Sequence, residues 1–302
     1  MPMRAAGSVA APGFPDADAG APSALRVWRR LRRRPLGALG LAITLAFVAV
    51  ALLAPVLAPH SPYYQFPNGL APDGAPLGPS AAFPLGTDEL GRDLLSRLLW
   101  GTRNTLAIAL LANLLATAVG TLFGGLAGYY GGWVDAVLMR VTEVLLAVPT
   151  VLLAAFLALV MRPSPLTLIL IIGAVNWFYL ARIVRAEVLA VKGLEFVEAA
   201  RAMGATHART LWRHVMRQVW GTAVVYMTLE FSTTATFTAS LGFIGIGVQP
   251  PAPSWGNMIA AGSQYLTSAP RLMIVPGATL GLSVLGFNLL GDALRDAMEM
   301  RA

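Results

Sequence analysis

Six long apolar runs, set between short polar stretches, constrain this chain more than any other feature. They fall at about residues 36–58, 104–129, 133–161, 166–181, 219–247 and 272–290. A helix rises ~1.5 Å per residue, so ~20 apolar residues cross the ~30 Å hydrocarbon core of a bilayer. Only 12% of the 302 residues are charged, and 56% are hydrophobic. A soluble domain carries about 25% charged residues. In lipid each backbone N–H and C=O must find its partner within the spanning structure, and for single segments that means helix. The expectation is an all-α, polytopic membrane protein with six transmembrane helices in contact with the lipid bilayer.

Charge gives the orientation. Residues 1–35 read as a disordered tail, rich in Ala, Pro and Gly, ending in a basic segment with Arg26, Arg29, Arg30, Arg32, Arg33 and Arg34. Segments of that composition bury too little apolar surface to order themselves. The run at 36–58 is longer than the ~7–15 residues of a signal-peptide core, so it reads as an uncleaved anchor. Its preceding arginines place the N-terminus in the cytoplasm. Six crossings return residues 296–302 to the same side. Of the 22 lysines and arginines, only Arg92, Arg97, Arg103, Arg162 and Arg271 then fall outside. The net charge of +7 is therefore a matter of topology and gives no reason to expect nucleic acid as a partner. Residues 59–103 form an extracytoplasmic segment, and residues 104–295 form the core domain.

Several chemistries are excluded. The chain has no cysteine and only three histidines; His60, His207 and His214 make no metal-ligand spacing, and no cofactor is expected. Lys192 is the only lysine. A phosphate loop of the form GxxxxGK[ST] is absent, so any ATP used must bind to another chain.

Between the fourth and fifth runs lies a charged stretch, residues 195–217, EFVEAARAMGATHARTLWRHVMR. It has the pattern of two short helices broken at Gly204, where a side chain would obstruct a sharp turn. Ala199 and Ala200 let a partner surface approach the backbone. Glu198 suits the start of its helix or an arginine across an interface. The stretch reads as the point where force from another protein enters the membrane domain. A solvated loop whose charges merely obey topology is the alternative.

Four motifs then point to a family. EAARAMGATHARTLWRHV (198–215) resembles the EAA loop of ABC-importer permeases. LGTDELGRDLLSRLLWGTRNTL (85–106), LGFIGIGVQPPAPSWGNM (241–258) and GFNLLGDALRDAM (286–298) are similar to signatures of the dipeptide/oligopeptide/nickel subfamily. Their order and the long first outside segment resemble the C-type permease. The resemblance implies a type I importer fold in a bacterial inner membrane, with no catalysis by the chain itself. It also implies a heterodimer with a second homologous permease subunit, two ABC ATPase subunits beneath, and an extracytoplasmic substrate-binding protein. Glu198, Ala199, Ala200, Gly204, His207, Arg213 and His214 become the ATPase-coupling residues. Di- or oligopeptides are the expected cargo, with nickel chelates, glutathione or another small solute as alternatives. A passive channel or scaffold is the reading from a different class. The chain departs from the pattern at Met216-Arg217, where the family often has Leu-Pro, so no proline kink is expected before the fifth span. It departs again at Thr238, where a glutamate is frequent.

Within the spans, Gly120, Gly124 and Gly128 repeat at four-residue spacing and predict close approach of another helix. In the fifth span Thr228, Ser232, Thr236 and Ser240 form one stripe. Glu230, Thr234 and Thr238 form another, roughly opposite. One stripe is expected to line the translocation pathway and the other to face the partner permease; the alternative is hydroxyls bonded to their own i−4 carbonyls. Glu230 is the only charge deep in that span, which marks it as functional by default. Asp88, Arg92, Asp93 and Arg97 read as bracing the outside segment or as touching the binding protein, with little contribution to stability if they lie at a surface. Asp292, Arg295 and Asp296 read as fixing the inner end of the sixth span. Trp255 reads as an interfacial anchor, and Pro149 as a kink in the third span.

Overall fold

A computed structural model describes residues 35–299; the N-terminal tail, its arginine cluster and residues 300–302 lie outside the described residues. Helix α1 (Pro35–Leu57) is followed by an irregular segment with two isolated bridges, Leu70 to Pro76 and Thr87 to Asp93. Then come α2 (Leu94–Tyr130), α3 (Gly132–Leu146), α4 (Thr150–Val160) and α5 (Pro165–Val191). The charged stretch forms α6 (Glu195–Ala202), α7 (His207–Arg209) and a π-helical turn (Thr210–Val215). The chain continues as α8 (Met216–Phe243), α9 (Trp255–Ser263) and α10 (Arg271–Glu299). No strand occurs among the described residues, so the fold is all-α.

Local chemistry sets the boundaries. Asp93 caps α2, its carboxylate accepting from Ser96 N and from Ser96 Oγ. Ser164 caps α5 with Pro165 at the first turn, where proline's missing N–H is not needed. Ser254 and Asn257 cap each other reciprocally at the start of α9. These side chains satisfy N–H groups that the helices leave unpaired.

Four helices are long and apolar enough to cross a bilayer: Pro35–Leu57, Leu94–Tyr130, Pro165–Val191 and Arg271–Asp296. α3 and α4 together make a fifth, bent by 91°. The third apolar run is thus not a kinked rod. Pro149 is the N-cap of α4, and the chain leaves the helix before it; a residue preceding proline is driven from helical φ/ψ, and proline cannot donate the bond that would continue α3. α8 has 28 residues, long enough by ~1.5 Å per residue, but its serines and threonines leave it less apolar than the others. The fourth run also extends further than its apolar residues, to Val191.

The largest interface joins α2 to α5. α8 lies against α2, α5 and α10, and α1 lies at the periphery against α10 and α2. Gly40 of α1 abuts the backbone of Leu289 and Leu290, and Gly286 of α10 abuts Ile43. Phe47 meets Trp255 edge-on, with centroids 6.0 Å apart.

Candidate functional site

The charged stretch is held onto the bundle by one apolar face. Val197 and Ala200 of α6 are buried, as are Leu211 and Val215; Val197, Leu211 and Val215 join Tyr129, Leu180, Val184, Val188, Met216 and Val219 in one core cluster. Glu198, Ala199, Gly204, His207 and Arg213 stay exposed, and His214 is half-buried. Ala200 therefore packs into its own chain, while Ala199 is the small residue left on the outer surface. Glu195 and Glu198 occupy the first turn of α6 and complement its dipole.

Gly204 ends α6. Its N–H bonds to Arg201 O at 2.9 Å and the Ala205 N–H bonds to Ala200 O at 3.1 Å. These are the paired bonds of a Schellman motif, and φ at Gly204 is +85°. A methyl group added there meets nothing within 4 Å, so the need for glycine is conformational rather than steric. Thr206 then caps α7 by accepting from Arg209 N. Beyond it, the π-turn feeds α8 with no interruption. With Met216-Arg217 in place of Leu-Pro, every backbone N–H is present, and the second element of the charged stretch is the start of α8 itself.

The C-terminal end of α2 grips this segment. Lys192 Nζ donates to Gly128 O at 2.8 Å. Tyr129 Oη lies 3.3 Å from His207 Nδ1, and the Arg201 guanidinium sits 5.4 Å from the centre of the Tyr129 ring. Above them, Gly120, Gly124 and Gly128 lie against α5. A Cβ on Gly120 or Gly128 would stand 2.8 Å from the Trp177 or Arg185 carbonyl oxygen, and one on Gly124 would press closer still on Ala181 O.

In α8 the hydroxyls bond their own helix. Thr228 donates to Val224 O at 2.9 Å, Thr236 to Ser232 O at 2.9 Å, Thr238 to Thr234 O at 2.8 Å and Ser240 to Thr236 O at 2.9 Å. Ser232 is buried, donating to Leu229 O and to Asn288 of α10. Thr234 and Thr238 are also buried, Thr234 beside Asn176 of α5 at 3.5 Å. Thr228 and Glu230 are half-buried. The exposed face is Thr233, Thr236 and Ser240. The two sequence stripes therefore do not map onto two faces. Four-residue steps drift by ~40° each on a helix, so a long i+4 stripe winds from buried to exposed. Thr233 completes the exposed face at i, i+3, i+7, a period that reading in fours passes over.

At the opposite end of the bundle the charges are buried. Asp88 Oδ2 lies 2.6 Å from Arg92 Nε and 2.9 Å from Arg97 Nε, and Glu89 takes Arg92 at 2.9 Å. Arg97 also donates to Pro62 O at 3.1 Å and Pro251 O at 3.3 Å. Trp255 is fully buried, its indole N–H donating to Thr102 Oγ1 at 3.1 Å, and so is no interfacial anchor. Arg271 donates to Pro76 O and Leu77 O. Asn104 donates to Pro253 O at 2.8 Å. Neither had a signal in the sequence, because their partners are carbonyls more than a hundred residues away.

Residues 120–302 match the family model described as binding-protein-dependent transport system inner membrane component. Residues 24–76 match the N-terminal TM domain of oligopeptide transport permease C. The chain is 36% identical over 281 residues to the dipeptide transport system permease protein DppC of Alkalihalophilus pseudofirmus, covering 92% of this chain and 91% of that one. It is 39% identical over 280 residues to the di/tripeptide transport system permease protein DppC of Pseudomonas aeruginosa, covering 92% of each. It is 38% identical over 272 residues to the glutathione transport system permease protein GsiD of Pectobacterium atrosepticum, covering 90% of this chain and 89% of that one.

Proposed function

The chain belongs to the family of binding-protein-dependent transport system inner membrane components, and from that premise we propose that it forms half of the pathway of an ATP-driven importer of short peptides. It is a multi-pass membrane permease subunit. The finer reading adds six crossings, with α8 as the fifth and both termini cytoplasmic. It pairs the chain with a second, homologous permease, two ATPases that hydrolyse the ATP, and an extracytoplasmic binding protein that delivers the cargo. The peptide cargo rests on the DppC relatives. Glutathione, itself a tripeptide, is the second cargo that a relative favours.

The observation that carries the coupling role is the continuity of the charged stretch with α8. Glu198 and Ala199 on α6, with Gly204 just beyond its end, present an exposed surface. The glycine turn, the π-turn and α8 then follow without a break. A push on α6 therefore reaches the hydroxyl-bearing face of Thr233, Thr236 and Ser240 through one helix. ATPase closure beneath α6 would tilt that helix and alternate the opening of the pathway.

Gly204→Val tests this. Valine at φ +85° is strained by about 1–2 kcal/mol or more, enough to open the Schellman turn, and no clash confuses the result. The expected outcome is an assembled complex whose peptide uptake and peptide-stimulated ATP hydrolysis are no longer proportional. Gly204→Asn, which tolerates positive φ, should keep them coupled. Normal coupling in the valine variant would remove the segment from the transmission path.

A further inference from the structure

A cavity of about 630 Å³ opens between α3, α5 and α8, lined by Met139, Thr142, Glu143, Tyr179, Arg182 and Tyr226 among others. Most charges around it are already matched. Arg185 is bound by Asp135 of α3. Glu143 is paired with Arg140 at 3.1 Å. Glu187 accepts from the Thr222 hydroxyl at 2.8 Å. Two groups are different. Arg182 is exposed on the cavity wall with no carboxylate against it among the described residues, and Glu230 is half-buried one helical turn along α8 from Tyr226, which lines the wall.

Their relative height follows from two cross-helix contacts. Asn176 meets Thr234, and Glu187 meets Thr222, so α5 and α8 run antiparallel with a fixed register. That register sets Glu230 level with Leu180 and Arg182 level with Thr228. The two charges are thus offset by about two residues, or ~3 Å, along the axis. Adjacent helices stand ~8–10 Å apart. An extended dipeptide spans ~7 Å between its ends. A cavity of this size is in the ~300–1,000 Å³ range that holds small ligands.

We propose that this cavity is a way-station that reads the two free termini of a short peptide, with Arg182 taking the α-carboxylate and Glu230, through the Tyr226 edge, taking the α-ammonium. A guanidinium matches a carboxylate with two parallel N–H bonds. A carboxylate deep in a span is costly when empty and is compensated by a cation in transit. The site selects for ends rather than side chains, as an importer of varied sequences requires. It rests on the peptide-importer reading.

The test is equilibrium binding to the purified, assembled transporter without nucleotide or binding protein. The probes are L-alanyl-L-phenylalanine, its C-terminal amide and its N-acetyl derivative. Arg182→Gln should weaken the free dipeptide by about tenfold or more, a step of one lost charge-assisted bond. It should leave the amide within twofold, because the amide never makes that contact. Glu230→Gln should weaken the free dipeptide similarly and spare the N-acetyl form. Arg182→Lys should recover part of the loss. Equal losses for free and blocked peptides, or no loss, overturn the site. If the unsubstituted transporter neither binds nor imports any dipeptide, the peptide-cargo reading falls and the site falls with it. If it imports dipeptides and the variants do not discriminate the blocked forms, only the site falls. A general folding defect moves all three probes together and so counts against the proposal.

Discussion

Gly124 has no room for a methyl group, because the Ala181 carbonyl of α5 occupies the position its Cβ would take. The obstacle is backbone on a helix fixed by its own hydrogen bonds, so it has nowhere to go. Gly124→Val should therefore force α2 and α5 apart. Overpacking of this kind costs about 1–3 kcal/mol. Gly277 of α10 is the control, since a Cβ there meets nothing within 4 Å. Gly277→Ala should be neutral or stabilising by up to about 1 kcal/mol through helix propensity. Thermal unfolding of the two variants in detergent separates them: a large fall for Gly124→Val and no fall for Gly277→Ala. Equal behaviour would mean the α2–α5 approach has slack that the geometry denies. This stripe was legible in the sequence because small residues at one spacing on one helix have one purpose in lipid. Trp255 was not. Its aromatic ring at a loop edge has the pattern of an interfacial residue, and only the Thr102 hydroxyl, 153 residues away in the chain, makes it a core residue.

At the scale of elements, α6 is a short helix that its own propensity does not explain. Eight residues are too few to be stable alone. It persists because Val197 and Ala200 are buried and because α2 anchors both of its flanks. Lys192 holds the entry through Gly128 O, and Tyr129 holds the exit through His207. A bond to a charged donor contributes about 1.5–3 kcal/mol, and a neutral one about 0.5–1.5 kcal/mol. Lys192→Met should thus speed amide hydrogen exchange across α6 by about tenfold or more, since local opening sets that rate. Tyr129→Phe should have a smaller effect, because the ring remains beneath Arg201. Unchanged exchange in Lys192→Met would show that burial alone fixes α6. The sequence made the two-part pattern and the Gly204 break visible, since glycine there is a conformational demand. The role of α2 was not visible. Lys192 reads in sequence as a lone charge obeying topology, and its carbonyl partner has no side-chain signature. The stripes of α8 do not follow two faces of the helix for a related reason: hydroxyls at every fourth residue satisfy the i−4 carbonyl whichever way the helix is turned, so their spacing carries no information about its face.

Over the whole molecule, α2 is the element that reaches both ends. Its 37 residues extend ~55 Å at 1.5 Å per residue, from the buried charges near Arg97 to the grip on α6. The coupling proposed for α6 requires that the far end of α2 stay fixed. Asp88 is placed to hold it, lying between Arg92 and Arg97 at 2.6 and 2.9 Å with all three residues no more than 5% exposed. Arg97 extends the link to Pro62 and Pro251, so both irregular segments at this end are tied to α2. Exposed pairs of this sort contribute at most about 1 kcal/mol. Breaking a buried one costs about 3–5 kcal/mol, because a charge is left without compensation. Asp88→Asn removes the carboxylate that both guanidinium groups share. Arg92 retains Glu89, but Arg97 keeps only carbonyl oxygens. The expected loss in thermal stability of the assembled complex is therefore in the larger range. Adding Arg97→Met to Asp88→Asn should restore part of it, since the second change removes the stranded cation. A single-variant loss below about 1 kcal/mol, or a double variant that simply sums two losses, would mean that water reaches the network and that Asp88 does not hold α2 in place.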